Sequence, residues 1–162
     1  MGAFKSRAVA RETAAAREEQ ARLQAVADSE AAWKEIDAIA KDVLAGIKAT
    51  LEAEAVDAKA DGYNAWADSI RLDNPPRKGA QLSFELPPPK MMGVVNDSTY
   101  SVVVTVNRDG RVIISSYEET RSGDMRSVLE SQDLGTIQAW PFPVRIEGYL
   151  NMLIETVENR AP

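Results

Sequence analysis

The first sixty residues contain nineteen alanines, no proline and only two glycines, Gly2 and Gly46. Arg, Glu, Gln and Lys fill eighteen of the other forty-one positions, so with the alanines well over half of the segment is strong helix former. From Gln81 onward alanine is reduced to Ala139 and Ala161, and Val, Ile, Thr, Ser and Pro take over. A helix from about Ala3 to Lys59 would be roughly 85 Å long. A compact body built from a chain of this size has a radius of gyration of about 15 Å. Such a rod cannot bury its whole length against its own domain, and this mismatch predicts that part of it leans on another surface.

Apolar spacing divides the helix into two stretches. Val9, Ala16, Leu23 and Val26 make a thin stripe interrupted by Glu12, Glu19 and Glu30. Trp33, Ile36, Ala40, Val43, Ile47 and Leu51 then follow at spacings of three and four, as one helix face requires. Ala55 and Ala58 extend that face with small side chains. The steps after Ile47 depart from strict heptads, so the pattern is coiled-coil-like but suits straight helix packing better. Asp61-Gly62 predicts a kink or restart. Tyr63, Trp66 and Ile70 keep helical spacing, so helix is expected to about Arg71. Asn74-Pro75-Pro76 then ends it, since a proline pair cannot continue the hydrogen-bond ladder.

Beyond this boundary Leu82, Phe84 and Leu86 alternate with polar residues as a half-buried strand does. Pro87-Pro88-Pro89 reads as a stiff polyproline II spacer, or less readily as a ligand for an aromatic groove. Met91 to Val95 is ambiguous. Thr99–Val106 and Arg111–Glu118 flank an Asp109-Gly110 turn and predict a hairpin with Tyr100, Val102, Val104 and Val106 on one face. Met125–Gln132 fits either a strand or a helical turn. Trp140-Pro141-Phe142-Pro143 opens a last helix, whose Ile146, Tyr149, Leu150, Leu153 and Val157 form an amphipathic stripe that covers the sheet. The expected class is α+β: residues 1–73 as a long helical arm, residues 74–162 as a mixed globular unit, with an antiparallel sheet of about three to five strands and a C-terminal helix packed on it.

Composition narrows the chemistry. The 162 residues include 19 basic and 25 acidic side chains, a net charge of −6, with no cysteine and no histidine. Disulfides, zinc–thiolate sites, Ser–His–Asp triads and Cys–His dyads cannot be built within this chain. No block is strongly basic, no glycine-rich phosphate loop is present, and the Arg7, Arg11, Arg17 and Arg22 series is interleaved with equal numbers of acids. Glu54, Asp57 and Asp61 share one helix side at a spacing that can hold a hard cation, but no facing second cluster is evident, and a solvated face is the plainer reading. Glu118-Glu119 beside Asp124 is likewise the ordinary charged end of a strand. No run of ~18 to 20 apolar residues exists to span a bilayer. Residues 1–25 lack the apolar core of a secretory signal. Met1-Gly2-Ala3-Phe4-Lys5-Ser6 matches only the loose pattern for N-myristoylation.

These observations predict a non-enzymatic, cytoplasmic interaction or assembly protein, oligomeric or docked to another protein through its long helix. No catalytic residue, metal ligand or cofactor site is expected, and no membrane or nucleic-acid partner. The expected partner interface is Leu23, Val26, Trp33, Ile36, Val43, Ile47 and Leu51, with Trp33 and Ile36 as anchors, because large apolar residues dominate interface energetics. The predicted order of elements resembles that of small acidic secretion chaperones, which combine helices with a sheet and dimerise. No residue carries over, and the Ala-rich arm departs from them, so a chaperone or adaptor stands as an alternative. A carboxylate enzyme using a divalent metal and a nucleic-acid-associated regulator are the remaining alternatives. High Ala and Arg with little Lys suggests a bacterial or phage source.

Overall fold

The computed structural model describes residues 2–87, 98–139 and 142–160. Helix α1 (Ala3–Ala60) leads into strands β1 (Asn64–Asp73), β2 (Pro76–Glu85), β3 (Thr99–Asn107), β4 (Arg111–Glu119), β5 (Met125–Ser127) and β6 (Gln132–Thr136). A short 3₁₀ turn, Ile137–Ala139, precedes helix α2 (Pro143–Glu158). The α+β class, the hairpin around Gly110 and the C-terminal helix on the sheet all stand as expected. Pro88–Val95 and Trp140-Pro141 lie outside the described residues, and with them most of the polyproline spacer, the Met91–Val95 segment and the lead-in to the last helix.

At 58 residues α1 is about 87 Å long. It stops through backbone chemistry rather than at the prolines. Gly62 takes φ 93°, a conformation that costs glycine little. Tyr63 N–H donates to Ala58 O at 3.0 Å, and Gly62 N–H to Lys59 O at 3.2 Å. Those two bonds form a Schellman motif that satisfies the orphan carbonyls and turns the chain. Residues 64–73 are therefore a strand, not the helical continuation expected to Arg71, and Asn74-Pro75 is the tip of a hairpin. The boundary expected at residue 73 falls inside that hairpin, whose ten cross-strand pairs run from Asn64–Glu85 to Asp73–Pro76. Met125–Gln132 resolves as the short strand β5 followed by a turn toward β6.

All strand pairs are antiparallel, in the order β1-β2-β3-β4, with β5 and β6 sharing the outer edge of β4. One face of this sheet is the core. Ala65, Ala80, Leu82, Phe84, Val102, Val104, Val106, Val112 and Ile114 point into it, as strand alternation requires. The second half of α1 crosses β2 and β1 on that face. α2 lies toward β4 and β6, where Tyr149 Oη shares a 3.1 Å hydrogen bond with Ser116 Oγ and Arg145 Nη1 donates to Leu134 O at 2.7 Å. Phe84 sits between Tyr63 and Tyr100, with ring centroids at 6.0 and 5.7 Å.

Glu118 is the one charged group buried among the described residues. Its carboxylate accepts from Arg126 Nε at 2.7 Å and from Ser98 Oγ at 2.9 Å. The Arg126 bond holds its pKa below the usual glutamate value in spite of burial. A depressed folded pKa means stability that is present above the unfolded value, about 4.3, and is lost as pH falls through the lower folded one. Melting of Glu118→Gln is expected to fall below wild type at pH 7, with the gap closing as the pH is lowered past 4. A gap unchanged down to pH 3 would show that the ionised carboxylate is not what stabilises this corner.

Candidate interaction surface

The two stretches that apolar spacing distinguishes in the helix part in the fold at Ala32. The second is spent on the body: Ile36, Ala40, Ile47 and Leu51 are fully buried, Trp33 is 6% exposed and Val43 is half-buried. Trp33, Ile36, Val43, Ile47 and Leu51 are thus core or core-flanking residues, which corrects their assignment to a partner interface. The surface that meets them is the sheet of the same chain, and β1, read as helix from sequence, is part of what covers them. Leu23 and Val26 remain on the outside, at 56% and 48% exposure.

Before Ala32 the helix stands in solvent. Residues 3–31 are exposed except for half-buried Ser29, and at 1.5 Å per residue they extend about 43 Å. The arm is held by its own short-range bonds. Arg22 pairs with Glu19 at 2.7 Å, Gln24 Nε2 donates to Asp28 at 2.8 Å, and Thr13 Oγ1 donates to Val9 O at 2.8 Å. The two side-chain pairs lie in solvent and add little, and a threonine bonded back to its own helix adds nothing. Gly2 occupies the N-cap without a side-chain bond, and the first turn carries no acid to complement the helix dipole. Phe4 is 88% exposed.

Where the arm leaves the body an open notch of about 810 Å³ lies against the tip of the β1–β2 hairpin. Val26, Ser29, Glu30, Trp33, Asp37 and Arg71 line it. The Arg71 guanidinium stacks 4.1 Å from the Trp33 ring centroid and Lys78 Nζ lies 5.3 Å from it, while Lys78 also pairs with Asp37 at 2.6 Å. Trp33 Nε1 is buried with no hydrogen-bond partner among the described residues. Cations stacked on the indole fix its plane, so Trp33 is a wall of the notch rather than a free anchor. The notch joins residues far apart in sequence, and no local pattern signals it.

Two other surfaces carry polar groups. The sheet face opposite the core is concave, with about 480 Å³ over Ile70, Leu72, Val103, Tyr117 and Met125. Its hydroxyls bond one another: Ser83 with Ser101 at 2.9 Å, and Ser115 with Ser131 at 2.8 Å. Between α1 and α2, Glu54, Asp57, Asp61 and Glu158 rim a groove of about 300 Å³ over Leu82, Phe84 and Leu150. Partial burial, with Glu147 and Asp57 nearby, raises the Glu54 pKa. Tyr63, desolvated and donating to Glu158, is pushed up to about 12. Among the described residues no group of three or more acidic side chains converges to hold a metal ion, so Glu54, Asp57 and Asp61 rim the groove without gathering around a point. Asp124 accepts from Ser122 Oγ at 2.7 Å, while Glu118 is tied to Arg126 and Ser98.

Comparison with protein families, curated proteins and solved structures finds no match for this chain. Among the described residues no helix is long and apolar enough to cross a membrane.

Proposed function

We propose that this is a non-enzymatic interaction or assembly protein that uses a compact α+β body to hold out its N-terminal helical arm as a docking element. The observation that carries this reading is the exposure of residues 3–31 along some eight turns of unbroken helix. Their thin apolar content contributes nothing to the chain's own core, whose residues begin at Ala32. A lone helix of this kind gains little stability in water beyond its alanine content. Contact with a second protein surface gives Leu23, Val26 and Phe4 a role that the body does not. The body in turn fixes the root of the arm: α1 runs unbroken from the exposed segment into the core, so the arm leaves in one direction.

Two forms of the protein test this, the full chain and one starting at Ala32. The shorter form retains every buried core residue. It is expected to melt at the same temperature by tryptophan fluorescence, to lose helical circular dichroism in proportion to the missing turns, and to lose association. A markedly lower melting temperature in the shorter form, at a concentration where the full chain is unassociated, would make the arm part of the fold and end the docking reading.

A further inference from the structure

The arm is electrically polarised. Residues 3–17 carry Lys5, Arg7, Arg11 and Arg17 against Glu12 alone, while residues 18–31 carry Glu18, Glu19, Asp28 and Glu30 against Arg22 alone. This order is the wrong way round for an isolated helix, whose dipole favours acids at the N-terminus and bases toward the C-terminus. It is the right way round for two such helices lying antiparallel, where each basic half faces an acidic half. A parallel pair would set like against like.

Spacing picks out a face for that contact. Phe4, Ala8, Ala15 and Val26 lie at steps of four, seven and eleven residues, on the side of α1 that further along meets the sheet through Trp33, Ala40 and Ile47. Pairing about a two-fold axis at Ala15 sets Phe4 of one copy level with Val26 of the other, and Arg11 level with Glu19. Small residues near the axis permit close approach. Val26 lines the notch beside Trp33, so the exposed Phe4 ring arrives at an open concavity walled by an aromatic side chain. We infer that the occupant of the arm is the arm of a second copy of this chain, laid antiparallel, with Phe4 of each copy seated in the notch of the other.

This inference rests on the docking reading above and names its partner. The test uses the full chain. Sedimentation over a concentration series is expected to show a dimer that weakens at high salt, since exposed ion pairs are screened within about 10 Å at 0.1 M. Phe4→Ala is expected to weaken it at least tenfold. Arg11→Glu is expected to weaken it, and Arg11→Glu with Glu19→Arg to restore it. Because the chain has no cysteine, Ala27→Cys takes a single spin label. Antiparallel arms place the two labels roughly 35–40 Å apart, from the ~1.5 Å rise. Parallel arms at the usual interaxial spacing place them within about 15 Å. A monomer at every concentration, or labels at the short distance, overturns the inference but leaves a docking arm with another partner or another pairing. A dimer that persists in the chain starting at Ala32 overturns both.

Discussion

Leu51→Ala is expected to destabilise the chain by about 2–5 kcal/mol, whereas Leu23→Ala in the same helix changes stability by less than ~0.5 kcal/mol. Both positions are leucines of α1, one in each stretch of its apolar pattern. Leu51 is fully buried between α1 and the sheet, in the same cluster as Ala65, Leu82 and Leu153. Its removal forfeits transfer free energy and leaves a cavity that a packed sheet closes only in part. At about 2–4 °C per kcal/mol for a chain of this size, the melting temperature falls by roughly 4–20 °C. Leu23 is 56% exposed, and alanine is the better helix former there. Tryptophan fluorescence is the suitable probe, since Trp33 and Trp66 report on the body while circular dichroism also follows the arm. Equal effects at the two positions would show that the arm and the body are not separate regimes of one helix.

The same contrast explains what could be read from sequence. Spacing identified the face of α1 that is buried, because three-and-four periodicity is a property of the helix itself. It could not identify the surface that buries it. That depended on β1, where the usual signal is inverted. Ala65, Ala67 and Ser69 face inward, small enough to let α1 lie close, while Trp66, Ile70 and Leu72 face outward. A strand with alanines in the core and its large apolar residues outside shows no normal alternation, and Tyr63, Trp66 and Ile70 happen to fit a helix. The Gly62 turn decided the outcome, and once Asn74-Pro75 became a hairpin tip the long stripe had a sheet to cover.

β6 was missed for a related reason. Gln132-Asp133-Leu134-Gly135-Thr136 has one buried apolar residue, Leu134, and a register shift opposite Val112/Ile113, so it offers no repeat to count. The β3–β4 hairpin, by contrast, was legible down to the inward face of β3, because β-branched alternation and an Asp-Gly turn agree there. On the arm, the thin stripe was legible but Phe4 was not, being a lone aromatic far from its matching Val26. The notch is assembled by the β1–β2 hairpin from residues on both sides of the helix end, and nothing local encodes it.

Gly79→Ala is expected to cost about 3 kcal/mol or more, for a reason independent of hydrophobic burial. Gly79 lies in β2 between Ile70 of β1 and Thr105 of β3. A Cβ built there would stand 1.9 Å from Val104 O and 2.9 Å from Thr105 Cα. Both atoms are backbone of the neighbouring strand, so no side-chain rotation relieves the overlap. β2 and β3 must separate, which breaks ladder hydrogen bonds in the middle of the sheet and lifts Ala80 and Val104 from beneath α1. Glycine within a strand, where another backbone approaches closely, is the accepted use of a residue otherwise unfavourable there. Gly148→Ala in α2 supplies the opposite sign. Among the described residues a Cβ there meets nothing within 4 Å, and replacing a mid-helix glycine is expected to stabilise by about 0.5–1 kcal/mol. Urea titrations of the two variants beside wild type measure both shifts. The close approach of β2 and β3 is refuted if Gly79→Ala melts with wild type; a destabilised Gly148→Ala would instead mean that the outer side of α2 is covered.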